Sequence, residues 1–199
     1  MISFDDILGG TSVMAILRGL PPGETVAIAG RLWDAGVTVL EVPIGRPEQV
    51  AALRAAADAA GERGLRVGAG TVITPDQVRA AAGAGAQYTV APGLDLGVLA
   101  ASLAAGLPHL PGVGTATEVQ QAWLAGCRWL KAFPAAALGP GWISGLLGPF
   151  PDVRFVATGG LTVAGAPAFL SAGARVVALG AALADPAQRD QIRTLLKPR

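Results

Sequence analysis

Cysteine, histidine and lysine are scarce in this chain, which contains one, one and two of them among 199 residues. The single cysteine, Cys127, excludes an internal disulfide and a metal site built from several cysteines. With His109 as the one histidine, a catalytic zinc site is hard to assemble, so we expect no metal. The net charge of +1, without a basic stripe or an acidic tail, argues against nucleic acid and anionic membranes as partners.

Long uninterrupted apolar segments are also missing, although 52% of the residues are hydrophobic and the mean hydropathy is +0.50. The stretches 96–117 and 132–151 carry no formal charge, but glycine and proline interrupt both, so neither predicts a membrane-spanning helix. The first six residues include acids and no basic residue, which argues against a secretory signal. We therefore expect a cytoplasmic protein.

Eight short apolar runs predict buried strands, because they are rich in Val, Ile, Leu and Ala. They are 13–17, 37–44, 66–72, 87–91, 108–113, 129–133, 154–158 and 176–180.

The segments between these runs have helical periodicity, and five of them end on an Ala-Gly pair, of which Ala35-Gly36 is the first. Glycine at that place is typical of a helix end, and the recurrence at about twenty residues indicates one βα unit per repeat. Alternating strands and helices imply a parallel sheet. Eight of them favour a single (β/α)₈ TIM barrel over residues 1–199, with an open doubly wound sheet as the alternative. Residues 3–9 are expected to form a short helix below the barrel.

Lys131 is the first candidate catalytic residue, since active sites of such barrels lie at the C-terminal ends of the strands. It ends the sixth predicted strand inside an apolar run, whereas the other lysine, Lys197, lies in the C-terminal tail. Burial disfavours the ammonium form, and the free amine is the form that attacks a carbonyl. The pattern predicts a Schiff-base lysine; the structural alternative is a lysine paired with Glu41.

Glu41 stands alone among apolar residues of the second strand, and we expect it to transfer protons. The other carboxylates fall in helices, turns or loops. His109 lies within the fifth predicted strand and is interpreted as structural.

The last two strands end in glycines, Gly159 and Gly160 after the seventh and Gly180 after the eighth. Backbone amides there form the phosphate site common to such barrels, while tight turns are the alternative explanation. Gly68-Ala-Gly70 resembles the start of a dinucleotide fingerprint, but position 73 is Ile, so that fingerprint fails.

Together these motifs make the chain similar to the 2-keto-3-deoxy-phosphogluconate / 4-hydroxy-2-oxoglutarate aldolase family, over roughly residues 13–183. The motifs are Ala15-Ile-Leu-Arg18-Gly19, Leu40-Glu41-Val42-Pro43, Gly68-Ala-Gly-Thr71-Val72, Lys131-Ala-Phe133-Pro134 and Thr158-Gly159-Gly160. The resemblance implies a metal-free class I aldolase, a (β/α)₈ barrel and a homotrimer.

The resemblance also implies roles for single residues. Lys131 would form the imine and Glu41 would move protons through a water molecule. Thr71, the backbone at Pro92, and Phe133 would hold the pyruvyl part of the substrate. The phosphate would bind at Gly159, Gly160, Gly180 and Ala181.

Some positions depart from the family pattern or point to different branches of it. Many gluconate-type members hold the substrate carboxylate with an arginine where this chain has Gly45, and Arg46 follows one residue later, so Arg18 and Arg46 are the candidates for this role and Arg18 is preferred. The galactonate-type branch uses an arginine that matches Arg18, yet Thr158 resembles the gluconate branch. Ala181 replaces a serine that is frequent in the family.

We expect cleavage of a 2-keto-3-deoxy-6-phospho sugar acid to pyruvate and glyceraldehyde 3-phosphate, with no cofactor beyond the imine on Lys131. An unphosphorylated keto acid such as 4-hydroxy-2-oxoglutarate is the nearest alternative substrate. Two different functions also fit a barrel of this kind, a phosphosugar isomerase or epimerase and a non-catalytic phosphate binder. An isomerase or epimerase would need two opposed bases or a metal, and a binder would not need Lys131.

Overall fold

Nine short parallel strands form a single sheet in the computed structural model, which describes residues 2–196. The strands are β1 Val13–Ile16, β2 Val39–Pro43, β3 Arg66–Gly70, β4 Thr89–Val90, β5 His109–Leu110, β6 Gly112–Val113, β7 Trp129–Ala132, β8 Arg154–Thr158 and β9 Val176–Leu179. The sheet order is β5-β4-β3-β2-β1-β9-β8-β7-β6.

The two strands at the ends of that order, β5 and β6, are separated in the chain by Pro111 alone. They are halves of one strand, so the sheet is a nearly closed eight-stranded barrel, which confirms the predicted fold. The prediction of one continuous strand over 108–113 is wrong, because the strand is interrupted at Pro111. Proline has no N–H for the ladder, and the hydrogen bonds on either side of Pro111 are made separately.

Helices lie between the strands and cover the outside of the barrel. The α-helices are α1 Phe4–Leu8, α2 Pro22–Asp34, α3 Val50–Gly61, α4 Pro75–Gly83, α5 Leu96–Ala104, α6 Ala116–Leu124, α7 Ala135–Leu138, α8 Pro140–Leu147, α9 Ala166–Ser171 and α10 Pro186–Gln191. Short 3₁₀ helices occupy Pro47–Gln49, Ala181–Ala184 and Ile192–Leu195.

Local sequence signals explain where several helices begin and end. The Thr115 hydroxyl accepts from the Glu118 N–H and the Glu118 carboxylate accepts from the Thr115 N–H, a capping box that starts α6. The glycine of each Ala-Gly pair has positive φ, as in Gly36 at +100° and Gly126 at +90°. The predicted helix ends are therefore confirmed.

Helix α1 closes the bottom of the barrel, as expected for residues 3–9. The rings of Phe4 and Tyr88 meet edge to face with centroids 5.8 Å apart. The Trp129 indole N–H donates to the Asp5 carboxylate at 3.0 Å, and Arg154 pairs with the same carboxylate. No helix in residues 2–196 is long and apolar enough to span a membrane.

Side chains alternate between the barrel interior and the helix layer along each strand. On β1, Met14 and Ile16 belong to the interior cluster, whereas Val13 and Ala15 pack against helices. The same alternation on β2 and β7 turns Glu41 and Lys131 inward, because their neighbours Leu40 and Leu130 belong to the helix layer. The alternation of the strands therefore brings the two charges into one interior.

His109 faces the opposite way, into the layer between β5 and α5, and is buried. The Ser102 hydroxyl donates to the Leu107 carbonyl, so Thr89 must donate to Ser102 and the His109 Nδ1–H must donate to Thr89, at 2.8 Å. Nε2 is then the unprotonated nitrogen, and it has no hydrogen-bond partner among the described residues. Burial lowers the pKa of His109 from 6.5 to about 4.

This histidine predicts a pH dependence of stability. In the unfolded chain His109 takes up a proton below pH 6.5, whereas in the folded chain it does so only below about pH 4. The free energy of unfolding therefore falls as the pH is lowered from 6.5 to about 4. We expect wild type to lose about 2 kcal/mol more than His109→Asn between pH 7 and pH 5, in urea unfolding. Asparagine keeps a donor toward Thr89 and cannot titrate. Equal losses in both proteins would contradict the assignment.

Candidate active site

A cavity of about 490 Å³ opens at the C-terminal ends of β1, β7, β8 and β9. Eight of the eleven residues predicted from sequence line it, namely Arg18, Lys131, Phe133, Thr158, Gly159, Gly160, Gly180 and Ala181. Among the described lining residues, Arg18 and Lys131 carry the formal charges, and both are cationic. The cavity is therefore suited to an anionic ligand.

Lys131, which lines the cavity, forms a buried ion pair with Glu41, which does not line it. Their Nζ and Oε2 atoms are 4.0 Å apart, and both side chains are almost wholly buried. The Lys131 ammonium also lies 5.2 Å from the centroid of the Phe133 ring. Neither carboxylate oxygen of Glu41 accepts a hydrogen bond from the described part of the chain. Both oxygens are therefore free to accept a hydrogen bond.

Two glycines of β3 make room for this carboxylate. A Cβ on Gly70 would overlap the carboxylate of Glu41, and one on Gly68 would overlap the ring of Tyr88. Gly68-Ala-Gly70, which does not fit a dinucleotide fingerprint, therefore leaves room in the barrel interior for the side chains of Tyr88 and Glu41.

Tyr88 lies fully buried in the interior cluster with Val39 and Val90, and it was not anticipated from sequence. Its hydroxyl donates to the Leu40 carbonyl at 2.5 Å. Desolvation and the negative charge of Glu41 raise the pKa of Tyr88 well above its usual range. The phenol is thus a neutral hydrogen-bond donor that supports β2 next to Glu41.

Arg18 and Arg46 were the two candidates for a carboxylate clamp, and the structure separates them. Arg18 follows β1 at the next inward position after Ile16 and lines the cavity. Both arginines are exposed, but Arg46 does not line the cavity, and its backbone N–H donates to Gln49 Oε1 at the start of a 3₁₀ helix. Position therefore favours Arg18.

The predicted glycine turns after β8 and β9 form the adjoining wall of the cavity, and Gly180 and Ala181 lie near Arg18 because β9 pairs with β1. Gly159 and Gly160 have φ of +102° and +75°, where side chains are rare. A Cβ on Gly159 would also lie 3.0 Å from the Phe133 ring. Gly180 precedes the 3₁₀ helix Ala181–Ala184, so backbone rather than side chain faces the ligand space at both turns.

Thr71 and Pro92, also predicted from sequence, follow β3 and β4 at the same end of the barrel but do not line the cavity. Thr71 has φ of +59°, a conformation that is unusual for threonine. The backbone of Pro92 lies so close to Gly112 that a Cβ there would overlap it.

Two polar lining residues, Thr162 and Gln188, were missed from sequence. No cluster of three or more potential metal ligands of the types His, Cys, Asp and Glu occurs within residues 2–196. Lys197 lies outside the described residues.

Comparison with known proteins agrees with this geometry. Residues 4–195 match the model of the family described as "KDPG and KHG aldolase". The 2-dehydro-3-deoxy-6-phosphogalactonate aldolase of Escherichia coli is 38% identical over 172 residues, 86% of this chain and 83% of that protein. The 2-dehydro-3-deoxy-phosphogluconate aldolase of Treponema pallidum is 35% identical over 94% of this chain and 89% of its own length.

A solved structure provides a further comparison. KDPG aldolase from Legionella pneumophila, with pyruvate captured as a covalent carbinolamine intermediate, superposes with a TM-score of 0.86 at 25% identity. The match covers 96% of this chain and 97% of that one. Relatives of both the galactonate and the gluconate type thus match at similar identity.

The packing around Glu41 predicts that Gly70→Ala is destabilising, because the new methyl group would displace the carboxylate or the strand. We expect the free energy of unfolding to fall by about 1–3 kcal/mol in urea titrations. Gly83→Ala, at the end of α4 with open space around it, is the matched control and should be neutral or slightly stabilising. Equal stability of the two variants would show that Glu41 is not confined by Gly70.

Proposed function

Because the chain belongs to the KDPG and KHG aldolase family, we propose that it cleaves a 2-keto-3-deoxy-6-phospho sugar acid to pyruvate and glyceraldehyde 3-phosphate. The observation that carries this proposal is the buried pair of Glu41 and Lys131, of which Lys131 lines a cavity that also contains Arg18. An amine and a carboxylate in that position are the two groups that a class I aldolase needs.

Lys131 supplies the nucleophile. Its free amine attacks the C2 ketone, and loss of water from the carbinolamine forms a protonated imine. The C3–C4 bond then breaks, its electron pair flows into the iminium, and the C4 hydroxyl loses its proton as the aldehyde leaves. The resulting enamine takes a proton at C3, and hydrolysis releases pyruvate and the lysine. The iminium is the electron sink, so the chemistry requires no metal.

Glu41 is the group that moves these protons. The 4.0 Å between its Oε2 and Lys131 Nζ is too long for a direct hydrogen bond but suits transfer through one water or a substrate hydroxyl. In its carboxylate form it accepts the proton of the C4 hydroxyl. In its protonated form it returns a proton to the hydroxyl that leaves the carbinolamine or to C3 of the enamine.

The other residues predicted from sequence are proposed to bind the two anionic ends of the substrate. Arg18 is proposed to hold the keto-acid carboxylate, with Thr71 and the Pro92 backbone beside the pyruvyl part and Phe133 packed against it. The amides near Gly159, Gly160, Gly180 and Ala181 are proposed to receive the phosphate. Thr158 points inward and is buried, where its hydroxyl can meet a hydroxyl of the substrate chain.

We further propose that the protein acts in the cytoplasm as a homotrimer. Large apolar side chains that remain exposed on this protomer offer contact surface for another copy; they are Ile73, Leu96, Leu103 and Leu124. Cys127 is a free thiol, which is typical of a reducing compartment.

The Schiff base is tested by trapping. Incubation with pyruvate and borohydride should add a reduced pyruvyl group to the peptide that contains Lys131, because reduction makes the imine permanent. Mass spectrometry of the digest checks this. Lys131→Ala should lose the label, and Lys197→Ala should keep it. Label on Lys197, or no label in wild type, would contradict the mechanism.

The carboxylate clamp is tested by comparing two arginines. Arg18→Ala should raise the KM for pyruvate in the condensation direction about tenfold or more, as expected for loss of a charge-assisted hydrogen bond. Arg46→Ala is the matched control and should change it less than about twofold, since it lies off the cavity. The reverse ranking would assign the clamp to the loop after β2.

A further inference from the structure

Gln188 is a cavity residue to which neither the motifs nor the proposed mechanism gives a role. It lies on α10, the helix that follows the last βα turn, and it lines the cavity beside Thr162 and Gly160. We propose that Gln188 recognises the phosphate of the substrate through its side-chain amide. This inference rests on the proposed function and adds a specificity-determining side chain to a subsite otherwise made of backbone.

The orientation of the Gln188 amide follows from its one hydrogen bond. The backbone N–H of Val163 donates to Gln188 Oε1 at 3.3 Å, which identifies the bonded atom as the oxygen. The Nε2 group is therefore directed away from Val163, with two N–H donors to offer. The bond also ties α10 to the loop that follows Gly159 and Gly160, so the amide is held at that turn.

Thr162, which also lines the cavity, is oriented in a similar way. Its hydroxyl oxygen accepts from the Gly165 N–H at 3.1 Å, so its own proton can be donated elsewhere. The two side chains at this rim are thus fixed through their oxygens and present hydrogen-bond donors. A rim of donors without a carboxylate suits an anion.

The chemistry of the subsite explains why a side-chain donor is needed there. A phosphate monoester presents three acceptor oxygens, and the glycine turns offer backbone amides to them. Ala181 has no hydroxyl to add. Of the two cationic lining residues, Lys131 is assigned to the imine, and Arg18, which lies near Gly180 and Ala181, is assigned to the keto-acid carboxylate. Gln188 supplies two further N–H donors on the side of the cavity formed by Gly160 and Thr162.

The competing explanation is that Gln188 only tethers α10 to the loop. Gln188→Glu separates the two roles, because one carboxylate oxygen can still accept from Val163 while the other replaces the donor with an anion. Gln188→Ala removes both the tether and the donor. Gln191→Ala, on the same helix but exposed and off the cavity, is the matched control.

The measurement is the ratio of kcat/KM for 2-keto-3-deoxy-gluconate with and without its 6-phosphate, repeated with the galactonate pair. We expect wild type to prefer the phosphorylated acids. Gln188→Ala should reduce that preference about tenfold, and Gln188→Glu more strongly, on the order of a hundredfold, through added repulsion. The unphosphorylated rates and borohydride trapping of pyruvate should stay within about twofold in both variants, which shows that they are folded.

Each contrary result has a distinct meaning. If Gln188→Glu keeps the wild-type preference, the residue is a tether and the inference is wrong while the proposed function stands. If Gln191→Ala changes the preference as much as Gln188→Ala, the effect comes from the helix and the inference is equally overturned. If wild type prefers the unphosphorylated acids, the phosphate part of the proposed function fails and the inference falls with it.

Discussion

Two opposite charges, on Glu41 and Lys131, lie almost wholly buried inside the barrel. Burying either one alone is costly, and removal of one partner from such a pair typically costs about 3–5 kcal/mol because the other is left uncompensated. The pair therefore has to be placed together, and each must sit on a strand whose alternation points it inward. Much of the interior can be understood as the packing that permits this placement.

In this packing, glycines stand at positions where a larger side chain would overlap the neighbouring groups. On β3, Gly68 is the register partner of Glu41 and Gly70 that of Pro43. A Cβ on Gly68 would meet Tyr88, and one on Gly70 would meet Glu41. Gly112, the register partner of Lys131, likewise cannot carry a Cβ because the Pro92 backbone lies against it. Below this level, Met14, Val39, Trp129 and Val176 fill the barrel with apolar side chains. The polar level is thus confined to the C-terminal ends of the strands, where chemistry in this fold takes place.

The sequence allowed the strands, the helix ends and most cavity residues to be predicted, because each rests on a local signal. Lys131 and Glu41 stand out as charges within apolar runs, and the glycine turns stand out by composition. The break at Pro111 could be read from proline alone and was missed. Tyr88 and Gln188 had no such local signal: a tyrosine in an apolar run is ordinary, and Gln188 reaches the cavity only through the packing of α10 after the barrel has closed.

The division between strands and loops also explains how this sequence can resemble the galactonate-type branch at Arg18 and the gluconate-type branch at Thr158. The groups proposed for the imine chemistry, Lys131 and Glu41, lie on strands whose register is set by several neighbours. Arg18, the glycine turns and Gln188 lie after the strands, where a substitution changes which ligand is held without disturbing the ladder. A galactonate-like residue at one loop and a gluconate-like Thr158 at another strand end can therefore coexist on one scaffold. We therefore expect selection of the aldehyde half of the substrate to depend on the residues after the strands, separately from the bond-breaking step proposed at Lys131 and Glu41.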